Sequence, residues 1–74
     1  MIEKGEIIKL EDDKEYICID NIENDATNYI YLVSNFKPLE IRFAKQINNN
    51  EEIEIINNNE EKHKVLDLFQ KKNN

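Results

Sequence analysis

The stretch Leu39-Glu40-Ile41-Arg42-Phe43-Ala44-Lys45-Gln46-Ile47 decides how the rest of the chain is read. Leu39, Ile41, Phe43 and Ile47 alternate with Glu40, Arg42, Ala44 and Gln46, the two-residue period of a β-strand with one wet face. A register shift of one residue would turn the apolar set to water, so such a strand dictates the register of its neighbours. Lys45 breaks the pattern, marking either a bulge or a point where the strand outruns the core. The expectation is a central strand of a small antiparallel sheet, with the Leu39, Ile41, Phe43 set facing in.

On the N-terminal side, Gly5 precedes a first strand over Glu6–Leu10, and Glu11-Asp12-Asp13-Lys14 reads as a four-residue hairpin loop. Without an Asn-Gly or Asp-Gly pair, a two-residue turn is not expected there. The second strand runs from Glu15 to Ile22, with Tyr16 and Cys18 on one face and Ile17 and Ile19 on the other. Both faces are apolar, which implies that both are covered. Glu23 to Asn28 is polar and reads as a loop. Tyr29–Val33 is a third strand, apolar on both faces. Ser34-Asn35-Phe36-Lys37-Pro38 connects it to the central strand, with Pro38 placed just ahead of the ladder.

On the C-terminal side, Asn48-Asn49-Asn50 makes a turn, because Asn tolerates the left-handed backbone that turns require. Glu51–Ile56 is a fifth strand, with Ile53 and Ile55 on one side and Glu52, Glu54 and Ile56 on the other. Asn57, Asn58 and Asn59 are good N-caps, and Glu60 and Glu61 place negative charge in a first helical turn. Val65, Leu66, Leu68 and Phe69 form an apolar stripe at helical spacing, and Lys71 and Lys72 complement the C-terminal end of the dipole. A helix over Glu60–Lys71 is about 12 residues long, marginal alone in water, so it must dock. Asn73 and Asn74 are expected to fray.

These elements predict a mainly β fold: a five-stranded antiparallel meander curled into a small SH3-like barrel, with one C-terminal helix. The two-faced strands would have the barrel interior on one side and the helix stripe on the other. An open five-stranded sheet crossed by the helix is an alternative, and so is a second apolar face that serves as a dimer interface. Gly5-Glu6-Ile7-Ile8-Lys9-Leu10 followed by Glu15-Tyr16-Ile17-Cys18-Ile19 resembles the opening hairpin of small SH3-like barrels. The whole pattern, with Tyr29-Ile30-Tyr31-Leu32-Val33 leading to a helix that ends near Leu68-Phe69, resembles short acidic proteins of low-GC Gram-positive bacteria. The resemblance implies the barrel and brings no activity and no site residue with it.

Composition narrows the function. At 74 residues and 39% hydrophobic, the chain suffices for one small core and not for a deep ligand cavity as well. The single cysteine, Cys18, excludes an internal disulfide and favours a reducing compartment. Met1–Gly5 lacks the basic-then-apolar pattern of a signal peptide, and no apolar run approaches the roughly 20 residues that cross a bilayer, so a cytoplasmic protein is expected. The net charge is −6, with one arginine, Arg42. A phosphate-gripping domain needs clustered Lys and Arg, so neither nucleic acid nor an anionic membrane is an expected partner.

No constellation of reactive side chains is apparent. Cys18 and His63 are the one possible thiol and base, but Cys18 lies mid-strand between isoleucines, as a buried cysteine does. His63 and Asp67 are four apart on the helix and can meet, with no nucleophile nearby. One Cys and one His do not make a zinc site, and the acidic runs lack the spacing of an EF-hand loop. The expectation is a non-enzymatic interaction module with no catalytic residue, cofactor or metal, whose partner is another protein or a second copy. Candidate contact residues are Phe36, Tyr29 and Tyr31; Tyr16 joins these two tyrosines in a possible stacking platform. Phe36 is either an exposed anchor or a lid folded back on the barrel end. The alternatives are an acidic, immunity-like antagonist of a basic partner and a nucleic-acid-binding small barrel.

Overall fold

In the computed structural model, which describes residues 2–47, 49 and 51–72, five antiparallel strands follow one another across a single curled, half-barrel sheet. They are β1 (Ile7–Lys9), β2 (Glu15–Asn24), β3 (Thr27–Ser34), β4 (Ile41–Ile47) and β5 (Glu52–Ile55), and the helix α1 (Asn59–Lys72) closes the chain. The architecture is mainly β with one C-terminal helix, as the hydrophobic periods predict. Two of the asparagines of the Asn48–Asn50 turn lie outside the described residues, as does the Asn73-Asn74 tail; Asn49 has the left-handed φ of 59°.

Each face of the sheet carries its own core. On the inner face Tyr16, Cys18, Ile30, Leu32 and Ala44 are buried together with Leu10 and Ile2. The segment before β1 crosses this face: the Ile2 amide donates to Gln46 Oε1 (3.3 Å), and Asn21 Nδ2 donates to the Ile2 carbonyl (2.8 Å). On the outer face Tyr29, Ile56, Val65 and Phe69 are buried, with Ile22, Tyr31, Phe43 and Leu68 packed around them.

Three expectations about the strands are corrected. The bulge is in β2, between Cys18 and Asp20, and not at Lys45, which stays in regular register opposite Tyr29 and Glu54. The extra residue, Ile19, switches the phase of the strand. Tyr16 and Cys18 point inward before it, and Asp20 and Ile22 point outward to the helix after it.

The second correction is the loop expected over Glu23–Asn28. β2 continues to Asn24 and β3 begins at Thr27, joined by the two-residue turn Asp25-Ala26 with φ of 52° and 63°. Both positive values match a type I′ hairpin turn, whose twist suits the flanking strands.

The third correction concerns the faces of β4. Ala44 and Gln46 are the buried residues, and Ile41 is exposed. Opposite Ile30 and Ile55 on the inner face stands the fully buried Ala44, and Phe43 packs on the outer face with Tyr31 and Phe69. Leu39 lies outside the strand altogether. The Ser34 hydroxyl donates to the Phe36 carbonyl (3.0 Å) and accepts from the Glu40 amide (2.8 Å), holding the connector folded until the ladder resumes at Ile41.

The helix starts where Asn58 Oδ1 accepts the Glu61 amide (3.0 Å), an N-cap bond to the third residue of the helix. Phe69 then meets Tyr31 edge-on at 5.8 Å between ring centroids and stacks on Phe43 at 6.1 Å. Lys45 bonds Glu61 (2.9 Å) near one end of α1, and Lys72 bonds Asp20 (2.7 Å) at the other, so the helix crosses the sheet from β4 to β2. Leu66, expected in the buried stripe, lies on the flank and is 38% exposed.

Two outcomes follow for urea unfolding. Phe69→Ala should cost on the order of 3–5 kcal/mol, whereas Leu66→Ala should cost about 1 kcal/mol or less. Ala26→Gly should raise stability by on the order of 1 kcal/mol, because alanine carries a steric cost in the left-handed region that glycine does not.

Candidate interaction surface

Antiparallel pairing sets Ile7 opposite Ile17, Ile17 opposite Val33, and Val33 opposite Ile41. These β-branched residues therefore form one row across four strands, on the outer face that carries α1. Rows on one face are about 7 Å apart, two residues along a strand, and a helix with its side chains is about 10 Å wide. One helix covers about two rows. The rows it covers are Asp20–Tyr31–Phe43 and Ile22–Tyr29–Lys45, and the next row is left bare. Ile7 and Ile41 are each 54% exposed, Ile17 and Val33 are half-buried, and the bulged Ile19 is 47% exposed.

At the β4 end of the row a cleft of about 410 Å³ is lined by Ile41, Phe43 and Ile56 together with Arg42, Asn57 and Lys62. Arg42 donates to the Ile41 carbonyl (2.9 Å) and to Glu40 (3.0 Å), while Lys62 is exposed on α1. At the β1 end Lys9 pairs with Asp13 at 3.3 Å. The bare row thus has an apolar centre and a charged rim.

The residues singled out from the sequence fall elsewhere. Tyr29 is buried under α1, and Tyr31 packs edge-on against Phe43 (5.2 Å) and Phe69. Tyr16 is on the opposite face, so the three tyrosines do not make one stacking platform. Phe36 is half-buried against the inner core, edge-on to Tyr16 at 5.8 Å, with the Lys14 ammonium 5.1 Å above its ring. That is the lid geometry.

Cys18 and His63 do not meet. Cys18 is buried in the inner core, and His63 is exposed on a helix packed against the other face. Burial pushes the Cys18 thiol up from its ordinary pKa, helped by the nearby Asp20 charge, so it is a poor nucleophile at neutral pH. Among the described residues no three His, Cys, Asp or Glu side chains are grouped to hold a metal ion, and no helix is long and apolar enough to cross a membrane.

Two carboxylates are tuned by their surroundings. The Tyr16 hydroxyl donates to Asp12 (2.7 Å), which lowers the Asp12 pKa; burial and the same bond raise that of Tyr16. For Asp20, burial acts to raise the pKa, but hydrogen bonds from Lys72 and the Asn21 amide, with the Lys72 and Lys4 charges, outweigh it and lower the value.

Comparison with protein-family profiles, curated protein sequences and solved structures gives no match. The row itself escapes a reading of single strands, because nothing in one strand shows how many rows the helix will cover. The available signal was that the second and third strands are both apolar on two faces, more than one short helix can shield.

Iodoacetamide should alkylate Cys18 only as fast as the protein unfolds; rapid labelling under native conditions would contradict its burial. Because the Asp20 pKa is lower folded than unfolded, its stabilising effect is full above about pH 4 and lost as pH falls through the folded value. The urea midpoint should therefore drop on going to about pH 3, and Asp20→Asn should flatten that drop.

Proposed function

We propose that this protein is a non-enzymatic protein-interaction module that meets its partner through the bare outer-face row. The observation that carries this reading is the alignment of Ile7, Ile17, Val33 and Ile41 outside both cores of a 74-residue chain. Single exposed apolar residues are ordinary, whereas a contiguous apolar patch rimmed by charge marks an interaction surface. An apolar centre depleted of charge, inside a polar rim, is also how interfaces between proteins are built. On this reading the curled meander is an SH3-like scaffold, working in a reducing, cytoplasmic setting that suits a lone buried thiol.

The net charge of −6 supports a second reading, an acidic antagonist that covers a basic surface of its partner. Salt separates the two. Binding through the apolar row should be nearly insensitive to ionic strength, while binding through surface charge should weaken as salt screens it.

Pull-down from the native cell, with wild-type and Ile41→Glu baits of matched melting behaviour, tests the first reading. A partner retained by the wild type in low and high salt, and lost with Ile41→Glu, is the expected result. A partner held equally by both baits would overturn the assignment to the row.

A further inference from the structure

We infer that the bare row takes one amphipathic α-helix of a partner protein, laid alongside α1, with a carboxylate of that helix at the Lys62 end. The inference rests on the interaction-module reading and names its partner class. An element lying on the face of a sheet finds no free backbone groups to pair with, since those are used within the ladder. The occupant must satisfy its own backbone, as an α-helix does.

The dimensions agree. From β1 to β4 the row spans three strand spacings, about 14 Å, which is about ten residues of helix at 1.5 Å each. Packed helices lie 8–10 Å apart, so a helix beside α1 is centred near the bare row. The flank of α1 offers Lys62 and, one turn on, the partly exposed Leu66. The cleft at that end, where Ile41, Phe43 and Ile56 meet Asn57 and Lys62, receives a side chain of the partner helix.

Charge complementarity sets the end group. Arg42 is tied to Glu40, whereas Lys62, beside the same cleft, makes no ion pair with a described residue, so a carboxylate is its natural complement. A uniformly acidic helix would be repelled by the net charge of −6; a single acid at that end is not.

A second copy of this chain fits poorly. Sheets pack about 10 Å apart, and α1 stands on the same face in the way of such contact. Nor can a second copy's α1 fill the groove, because its outward side (His63, Lys64, Asp67, Lys71) is polar and its apolar stripe is already buried.

The test uses the full chain with methyl-labelled Ile and Val, and two synthetic helical peptides of about 14 residues. Both carry Leu at i, i+3, i+4 and i+7 on an Ala/Gln background; one has Glu at both ends, the other Lys. The Glu-ended peptide should shift the methyl signals of Ile7, Ile17, Val33 and Ile41, and the Lys-ended one should bind about threefold or more weakly. Lys62→Glu, an exposed change that leaves the fold intact, should reverse that order. Absence of shifts at millimolar peptide, shifts confined to other residues, or no reversal with Lys62→Glu overturns the helix assignment. If the row's signals move when the protein alone is concentrated, or if the Ile41-dependent partner appears while the peptides fail, the helix assignment falls and the interaction reading stands. If no peptide, no concentration and no pull-down engages the row, both fall.

Discussion

The structure depends on one extra residue in β2. By placing Ile19 between Cys18 and Asp20, the bulge lets a single strand serve two cores. Its first half sends Tyr16 and Cys18 inward, and its second half sends Ile22 outward to meet α1. Unbroken alternation would turn Asp20 into the inner core, with no partner there, and would leave Lys72 without the carboxylate that holds the C-terminal end of the helix. A buried carboxylate without its bonds is costly, so the phase switch and the helix clamp stabilise each other.

The rest follows from how little chain is available. A domain of this size buries a modest fraction of its surface, and a closed barrel with a large interior is beyond it. The inner face is instead a half-barrel filled by its own side chains and sealed by the crossing segment around Ile2. The outer face is sealed by α1 over two rows, through the Phe69, Tyr31 and Phe43 rings and an ion pair toward each end. One helix is not wide enough for the third row. Exposure of Ile7 and Ile41 is a geometric consequence of the same economy, and it gives the molecule a surface to offer.

Much of this architecture was legible in the sequence. Alternation located β4 and β5, short apolar runs located β1, β2 and β3, and the Asn57–Asn59 caps with the Val65–Phe69 stripe located the helix, because these signals are local. Three features were hidden for physical reasons. The hairpin turn at Asp25-Ala26 uses an alanine where the backbone demands positive φ, a choice that propensity argues against. The Ile19 bulge is a single β-branched residue among others, with no glycine to mark it. The face of β4 was inverted because its apolar alternation, read alone, points Ile41 inward, while Phe43 is drawn to the outer face by the Tyr31 and Phe69 rings and carries Ile41 out with it. The candidate surface was missed for a related reason. Phe36, Tyr29 and Tyr31 drew attention as aromatics, yet they spend their rings on the two cores, and the exposed apolar area comes from four aliphatic residues aligned only by register.

The phase switch is the central claim, and a methyl NOESY spectrum of the native protein tests it most directly. Ile22 methyls should show cross-peaks to the ring protons of the Tyr29–Phe69 cluster, while Cys18 β-protons show them to Leu32 and Ile30, on the other face. Cross-peaks from Ile22 to Ile30 or Ala44, on the inner face, would mean that β2 alternates without a bulge, and the two-core account would then be wrong.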